Sequence, residues 1–144
     1  MCSASRVQCS HDMNAETEAM RQRTKKFTLD VLKFIRSLPA TDECHDIGDQ
    51  LRRSGGGVGA NYRSTCRSRS RSEFISRINV ALEEADESAF WLEVLTEGEI
   101  VRNQTSLQLL DEANQLSAIF AASSLTAIEA EKRHDPDPRG RQRR

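Results

Sequence analysis

The chain has 144 residues, of which 37% are hydrophobic and 30% charged, a balance typical of one compact domain with an ionic surface. Its 21 basic and 22 acidic side chains give a formal net charge of -1, which argues against a strongly basic or acidic binding protein. No stretch approaches the roughly 20 apolar residues of a membrane-spanning helix, and residues 1–12 lack the apolar centre of a secretory signal. We therefore expect a cytoplasmic protein without a membrane segment.

The first predicted element is a helix that begins at Ala15, after a disordered extension over residues 1–14. Pro39 ends this helix because proline disfavours helical geometry at the residue before it. The apolar side chains recur at three- and four-residue steps, which places them on one face of the helix. They are Phe27, Val31, Phe34, Ile35 and Leu38.

The second helix is predicted to begin at Thr41 or Asp42, either of which can cap free N–H groups. Ile47, Leu51, Ser54 and Val58 continue the core stripe, but glycines at 55, 56, 57 and 59 interrupt it. Each interior glycine costs about 0.5–1 kcal/mol relative to alanine. Two interpretations remain: a loop over residues 55–59, or a continuous helix held by the close approach of a neighbouring backbone. We favour the continuous helix.

Two further helices follow, each introduced by a predicted capping box. Ser70 and Glu73 open the third helix, which runs to about Glu97 and stops at Gly98. Thr105 and Gln108 open the fourth. The predicted core positions of the third helix are Phe74, Ile78, Ala81, Leu82, Ala85, Ala89, Leu92 and Leu95. Those of the fourth are Leu110, Ala113, Ser117, Phe120, Ser124 and Ala127.

Four amphipathic helices with short connections predict an all-α fold, an antiparallel up-down-up-down four-helix bundle over residues 15–130. From residue 131 the chain is charged and carries Pro136 and Pro138 before four arginines near its end. Residues 131–144 are therefore predicted to be a disordered basic tail.

Metal, cofactor and catalytic patterns are missing from the sequence. No two cysteines have CxxC spacing, and adjacent Cys44 and His45 would point about 100° apart on a helix. The glycine run lacks the strand and the Lys-Ser/Thr of a phosphate-binding loop, and no histidine is placed as a general base beside a nucleophile. We expect no metal site, no cofactor, no small-molecule substrate and no enzymatic activity.

Carboxylates cluster on the third helix at residues 83, 84, 86 and 87, but no helix offers the Glu-x-x-His of a di-metal bundle. Partly buried carboxylates need polar partners. We therefore predict a structural polar network rather than a metal centre. Its members are Asn61, Arg77, Glu84 and Glu87.

An arginine cluster is the strongest electrostatic feature. Arg63, Arg67, Arg69 and Arg71 crowd the end of the second helix and the following turn, with serines between them. Guanidinium and hydroxyl groups suit contacts to RNA or DNA phosphates. The alternative interpretation is a solvated surface that pairs with acidic residues of the third helix, in the same or a neighbouring subunit.

The adjacent aromatic residues Phe90 and Trp91 widen the apolar surface of the third helix, because Ala89 and Leu92 already occupy its core stripe. An apolar surface left over after the bundle has formed indicates a partner. We predict that Phe90 and Trp91 lie in a homo-oligomer interface.

Three segments resemble the four-helix-bundle proteins of the 23S rRNA intervening-sequence family, also labelled ribosomal protein S23-like. The segments are Gly59-Ala60-Asn61-Tyr62-Arg63, Arg69-Ser70-Arg71-Ser72-Glu73-Phe74-Ile75-Ser76, and Glu84-Ala85-Asp86-Glu87-Ser88 followed by Trp91-Leu92-Glu93. The resemblance covers residues 20 to 125. A related branch is the accessory variability protein of diversity-generating retroelements.

The resemblance implies an antiparallel bundle that forms a ring, a homopentamer, with no established enzyme activity. Through the retroelement branch it also implies a nucleic-acid-binding accessory protein that partners a reverse transcriptase. This chain has a pI near 6.3, carries Ser64-Thr65 where the family commonly has an acidic residue, and carries Glu83 where a basic one is common. We therefore rank an oligomeric interaction or scaffold protein first and nucleic-acid binding second.

Overall fold

The computed structural model describes the backbone of residues 4–134 and the side chains of residues 14–134. Within that range it consists of four helices and contains no strand, so the predicted all-α four-helix bundle is confirmed. The helices are α1 (Ala4–Arg36), α2 (Asp42–Thr65), α3 (Arg71–Glu97) and α4 (Gln104–His134).

Side-chain caps fix where α2 and α3 begin. The Thr41 hydroxyl accepts a hydrogen bond from the Cys44 N–H at 3.2 Å, which settles the start of α2. The Ser70 hydroxyl accepts from the Glu73 N–H at 3.0 Å, as predicted. The Glu73 carboxylate reaches back one residue further than a standard capping box and accepts from the Arg69 N–H at 2.7 Å.

The cap of α4 differs from the prediction. Asn103 and Ser106 form the reciprocal pair, with the Ser106 N–H donating to Asn103 Oδ1 at 2.9 Å and the Asn103 N–H donating to Ser106 Oγ at 3.0 Å. The predicted box of Thr105 and Gln108 was wrong by two residues. Asparagine caps as well as threonine, and the buried Ser106 fits the inward side of this turn.

Two helix boundaries also differ from the prediction. The first helix begins at Ala4 rather than Ala15, since residues 4–14 contain no glycine or proline to stop it although they lack an apolar stripe. The fourth helix continues to His134 rather than 130, two residues before Pro136. Residues 1–3 and 135–144 lie outside the described range, so the predicted disorder of the chain ends stays a prediction.

Helices α2 and α3 run antiparallel where hydrogen bonds pair them. Along α2, Ser54 contacts Ser88 and Ser64 contacts Arg77, so the α3 partner falls in number as the α2 residue rises. The core between the helices is apolar, and most predicted positions are fully buried, including Phe27, Leu51 and Leu92.

On α4 the buried stripe is shifted from the predicted one. Leu109 and Leu116 are buried, whereas Leu110 and Ser117 are only partly covered. Ala127 is also only partly covered. Either of two neighbouring positions fits a helical period, and the placement of α1 and α3 around α4 selects between them.

The glycine segment is helical throughout, so the favoured interpretation is confirmed and the loop over residues 55–59 was wrong. A Cβ on Gly55 would lie 2.8 Å from Val31 Cγ1, and one on Gly59 would lie 2.6 Å from Thr28 Oγ1 and 3.4 Å from the Thr24 carbonyl oxygen. The Thr28 hydroxyl donates to the Gly55 carbonyl at 2.7 Å. These two glycines therefore let α1 pack directly on the backbone of α2.

The helix stop after α3 uses a non-glycine residue in the left-handed region. Gly98 keeps a right-handed conformation, with φ of -72°, while Glu99 adopts φ of 55°. The Ile100 and Val101 N–H groups both donate to the Leu95 carbonyl and close the end of the helix. Gly98 therefore marks the stop, as predicted, but Glu99 bears the conformational strain.

Candidate functional site

The outer surface of α3 carries the predicted aromatic pair. The Phe90 side chain is 52% exposed, and Trp91 is partly buried against the core cluster. Their rings meet edge to face, with centroids 4.9 Å apart and planes at 71°. The Trp91 indole N–H points to Glu87 Oε1 at 3.4 Å. The structure thus leaves Phe90 open to a partner and uses part of Trp91 in the bundle itself.

Phe90 lies on the edge of α3 that faces α4. Asn79 marks that edge, because its Oδ1 accepts a hydrogen bond from the Ser124 hydroxyl at 2.7 Å. Phe90 follows Asn79 by eleven residues, about three helical turns, and so lies on the same edge. Trp91 is about 100° further round, towards α2.

Two exposed leucines of α4 extend this apolar surface. Leu107 is 42% exposed and Leu125 is 61% exposed. They are eighteen residues apart, about five turns, and therefore share one side of α4. That side is about 140° from Glu112, which faces α1 through its bond to Arg23, and about 100° from Ser124, which faces α3 through its bond to Asn79. We call Phe90, Leu107 and Leu125 the α3–α4 apolar face.

Sequence reasoning missed the two leucines of this face. A signal for them was available, because Leu107 and Leu125 fall outside the predicted core stripe of α4 at a spacing of whole turns. Apolar residues outside a core stripe are common singly. We group them with Phe90 because α3 and α4 are packed neighbours and all three side chains are exposed.

The arginine cluster forms an open cationic turn between α2 and α3. Arg63, Arg67, Arg69 and Arg71 are all exposed, and none forms a salt bridge with a side chain that the structure describes. The turn is held instead by backbone bonds, such as the Arg67 N–H donating to the Ser64 carbonyl at 3.0 Å. The four guanidinium groups are therefore free to meet an anionic partner.

Tyr62, the aromatic residue nearest this turn, is occupied within the bundle. Its ring stacks on the buried Phe120 ring, with centroids 5.6 Å apart and planes at 11°. Burial raises the pKa of the Tyr62 hydroxyl, with a further contribution from the neighbouring Cys66. The turn therefore offers charge and hydroxyl groups, and the Tyr62 ring beside it already stacks within the bundle.

Hydrogen bonds do not join the predicted polar network. Asn61 donates to the Gly57 carbonyl at 2.8 Å within its own helix, and Arg77 donates to the Ser64 carbonyl at 2.8 Å and pairs with Glu73. Arg77 thus links the end of α2 to α3. Its partners, Ser64 and Glu73, are not members of the predicted network. None of the four predicted members contacts another through a hydrogen bond in the described side chains; Asn61, Arg77 and Glu87 have other partners, and Glu84 has none among these bonds.

Glu84 is the unusual carboxylate of this region. It lies against the bare backbone of Gly57, where an added Cβ would be 2.6 Å from its carboxyl carbon. Its carboxylate forms no salt bridge or hydrogen bond among the described side chains. Burial raises the pKa of Glu84, and the nearby charges of Glu87 and Glu83 raise it further.

No set of three or more His, Cys, Asp and Glu side chains within the described residues is arranged to hold a metal ion. Cys44 and Cys66 are free thiols in this part of the chain, and burial raises the pKa of Cys66. None of the helices within residues 4–134 combines the length and the apolar character needed to cross a bilayer.

The model of the family described as 23S rRNA-intervening sequence protein matches residues 16–122, a span that includes α2, α3 and most of α1 and α4. The chain belongs to this family. The resemblance carried by the Asn61 to Arg63 and Glu84 to Trp91 segments is thereby confirmed.

A solved structure shares the fold of this member of the 23S rRNA-intervening sequence family. It is a protein of unknown function from the S23 ribosomal protein family of Bacteroides thetaiotaomicron, with 24% sequence identity and a TM-score of 0.67. The alignment covers 73% of this chain and 97% of that chain. This likeness is evidence for the fold alone. No curated protein matches the sequence.

Proposed function

We propose that this member of the 23S rRNA-intervening sequence family is a non-enzymatic interaction protein that associates with copies of itself. The observation that carries the proposal is the α3–α4 apolar face, in which Phe90 is 52% exposed. Large exposed apolar side chains that share one face of a small domain are typical of a protein-binding surface. A bundle with a satisfied core has no structural need for them.

Charge complementarity within one chain favours a second copy as the partner. The arginine turn is exposed and without salt bridges to described side chains, and the outward side of α3 carries exposed acidic groups at Glu83, Asp86, Glu87 and Glu97. These surfaces lie on different parts of the molecule, so their pairing would be heterologous. Head-to-tail contacts close into a ring when the rotation permits. We propose a ring of five copies, as the resemblance implies.

Light scattering after size-exclusion chromatography tests this proposal. The wild-type protein should elute with a mass five times the 16.2 kDa of one chain. Phe90→Ser should shift the mass towards the monomer, because it removes the central apolar contact. The matched control is Leu29→Ser, since Leu29 is equally exposed, at 55%, but lies on α1 away from this face.

Helicity measured by circular dichroism must be the same for both variants. A wild-type protein that is monomeric at micromolar concentration would overturn the proposal. Equal loss of mass in the Leu29 and Phe90 variants would also overturn it, because the association would then not depend on the α3–α4 apolar face.

A second function is favoured by the unpaired arginine turn. We propose that Arg63, Arg67, Arg69 and Arg71 contact RNA or DNA phosphates without reading the sequence. A ring would present several copies of the turn, and the linked contacts would bind more tightly than one weak contact alone. The partly buried, stacked ring of Tyr62 supports phosphate contacts over base stacking.

Fluorescence anisotropy with labelled RNA and DNA at two salt concentrations tests this second function. Replacing all four arginines with alanine should abolish binding at low salt, and the wild-type salt dependence should reflect about one released counterion per phosphate contact. The control replaces four exposed cations outside the turn, which are Lys25, Arg36, Arg53 and Arg102. Binding that is equally weak in both quadruple variants would reflect net charge only and would refute a specific role for the turn.

A further inference from the structure

The edge of α3 that faces α2 carries a row of two carboxylates, an indole ring and an apolar side chain. Glu84, Glu87 and Trp91 follow one another at three- and four-residue steps, so they are neighbours along the helix surface. Val80 begins the row one turn before Glu84, and its side chain is 40% exposed. We call Val80, Glu84, Glu87 and Trp91 the α2–α3 edge.

Close contacts join the members of the α2–α3 edge to one another and to α2. The Glu84 carboxylate lies over the backbone of Gly57, where an added Cβ would be 2.6 Å from its carboxyl carbon and from its Oε2. The Trp91 indole N–H points to Glu87 Oε1 at 3.4 Å, and the Trp91 ring meets the Phe90 ring edge to face. The α2–α3 edge therefore continues into the α3–α4 apolar face through the Phe90 and Trp91 pair.

The carboxylates of the α2–α3 edge have no cationic partner among the side chains of residues 14–134. Neither Glu84 nor Glu87 forms a salt bridge there. Between residues 78 and 97, α3 carries no basic side chain, and its acidic residues in this stretch are 83, 84, 86, 87, 93 and 97. A cation that pairs with the edge therefore has to come from outside this part of α3.

The arginine turn carries the complementary charge, but most of it lies too far along the same molecule. Arg71 precedes Glu84 by thirteen residues, about 20 Å along α3, which one side chain cannot span. Arg67 and Arg69 lie further away, in the turn before α3. The turn and the edge therefore stay unpaired within one copy, although the net charge of the chain is only -1. A second copy supplies each surface with its opposite charge.

We propose that the arginine turn of one copy docks on the α2–α3 edge of the next copy. Guanidinium groups of the turn pair with Glu84 and Glu87, and the alkyl stem of an arginine covers the exposed Val80 side chain. Because the turn and the edge are different surfaces, the contact is heterologous and repeats from copy to copy. This contact rests on the proposed self-association and specifies its charged part.

Light scattering of two charge-altered variants and of their mixture tests the contact. The edge variant carries Glu84→Gln, which keeps the side-chain size over Gly57, and Glu87→Arg at an exposed position. The turn variant replaces the four arginines of the turn with glutamate. Each variant alone should shift towards the 16.2 kDa of one chain, because its turn and its edge now repel each other. An equimolar mixture should regain a higher mass, because the turn of each variant meets an oppositely charged edge on the other.

The matched control for the edge variant combines Glu16→Arg with Glu18→Gln. It changes the net charge equally, but both residues are exposed on α1, away from the α2–α3 edge, so it should keep the wild-type mass. Helicity measured by circular dichroism must be the same for all variants. A monomeric wild type would overturn the self-association and this contact together. If the wild type assembles, an unchanged mass for the edge variant would overturn the contact alone. A mixture that gains no mass, or equal losses in the edge variant and its control, would also do so.

Discussion

Neighbouring glycines of α2 should respond in opposite directions to the same substitution. A Cβ on Gly56 would meet no heavy atom within 4 Å, whereas one on Gly55 would lie 2.8 Å from Val31 Cγ1 and 3.2 Å from Val31 Cβ and Cγ2. Both glycines are interior residues of the same helix, so alanine brings the same gain in helix propensity at each. The difference between the two variants therefore isolates the close approach of α1.

The expected magnitudes follow from these contacts. Gly56→Ala should raise the free energy of unfolding by about 0.5–1 kcal/mol, which corresponds to a melting temperature roughly 2–4 °C higher. Gly55→Ala brings the same gain but forces Val31 aside. Val31 is fully buried and β-branched, so it cannot turn to another rotamer without a clash. Overpacking of this kind costs about 1–3 kcal/mol, and after that gain is subtracted the net result should be a loss of up to about 2.5 kcal/mol.

Urea unfolding followed by circular dichroism, at one chain concentration for all variants, measures the two effects. The denaturation midpoint should rise for Gly56→Ala and fall for Gly55→Ala, with the slope unchanged for both. The reasoning would be refuted if both variants were stabilised to the same extent. That result would mean that α1 does not pack closely on Gly55.

Three other substitutions test single features of the bundle. The raised pKa of Glu84 means that its ionisation costs stability as the pH rises above the ordinary glutamate range. Glu84→Gln should therefore stabilise the protein at pH 7, by less than about 1 kcal/mol because the carboxylate is partly solvated. At about pH 3, where the carboxyl group is protonated, the substitution should bring no gain. A gain for Glu84→Gln that is constant with pH would contradict the assignment. Ser70→Ala should lower the free energy of unfolding by about 1 kcal/mol because it removes the side-chain cap of α3. The control Ser72→Ala should have little effect. Equal losses of stability for the two variants in urea unfolding would rule out the cap. Glu99→Gly should raise the melting temperature measured by circular dichroism, because glycine relieves the left-handed conformation at a gain of about 0.5–1 kcal/mol, and a lower melting temperature would contradict that strain.

Local sequence was sufficient for the number and approximate position of the helices. The caps at Thr41 and Ser70 act through bonds to residues three positions away, so the pattern that forms them is contained in a few consecutive residues. The apolar stripe of α1 behaves in the same way, because a 3.6-residue period places Phe27, Val31 and Phe34 on one side of any helix that contains them. Family membership could also be inferred at this level, from short ordered motifs.

Tertiary packing determined every feature that depends on which neighbouring helix faces a given side of a helix. A helical period cannot distinguish Leu109 from Leu110, and it cannot assign Phe90 and Trp91 to different edges of α3. Adjacent residues differ by only about 100° around a helix, so the positions of the surrounding helices determine which of two adjacent side chains is buried. Continuity of α2 through Gly55 likewise depends on Val31 of another helix, whose packing offsets the poor helix propensity of glycine.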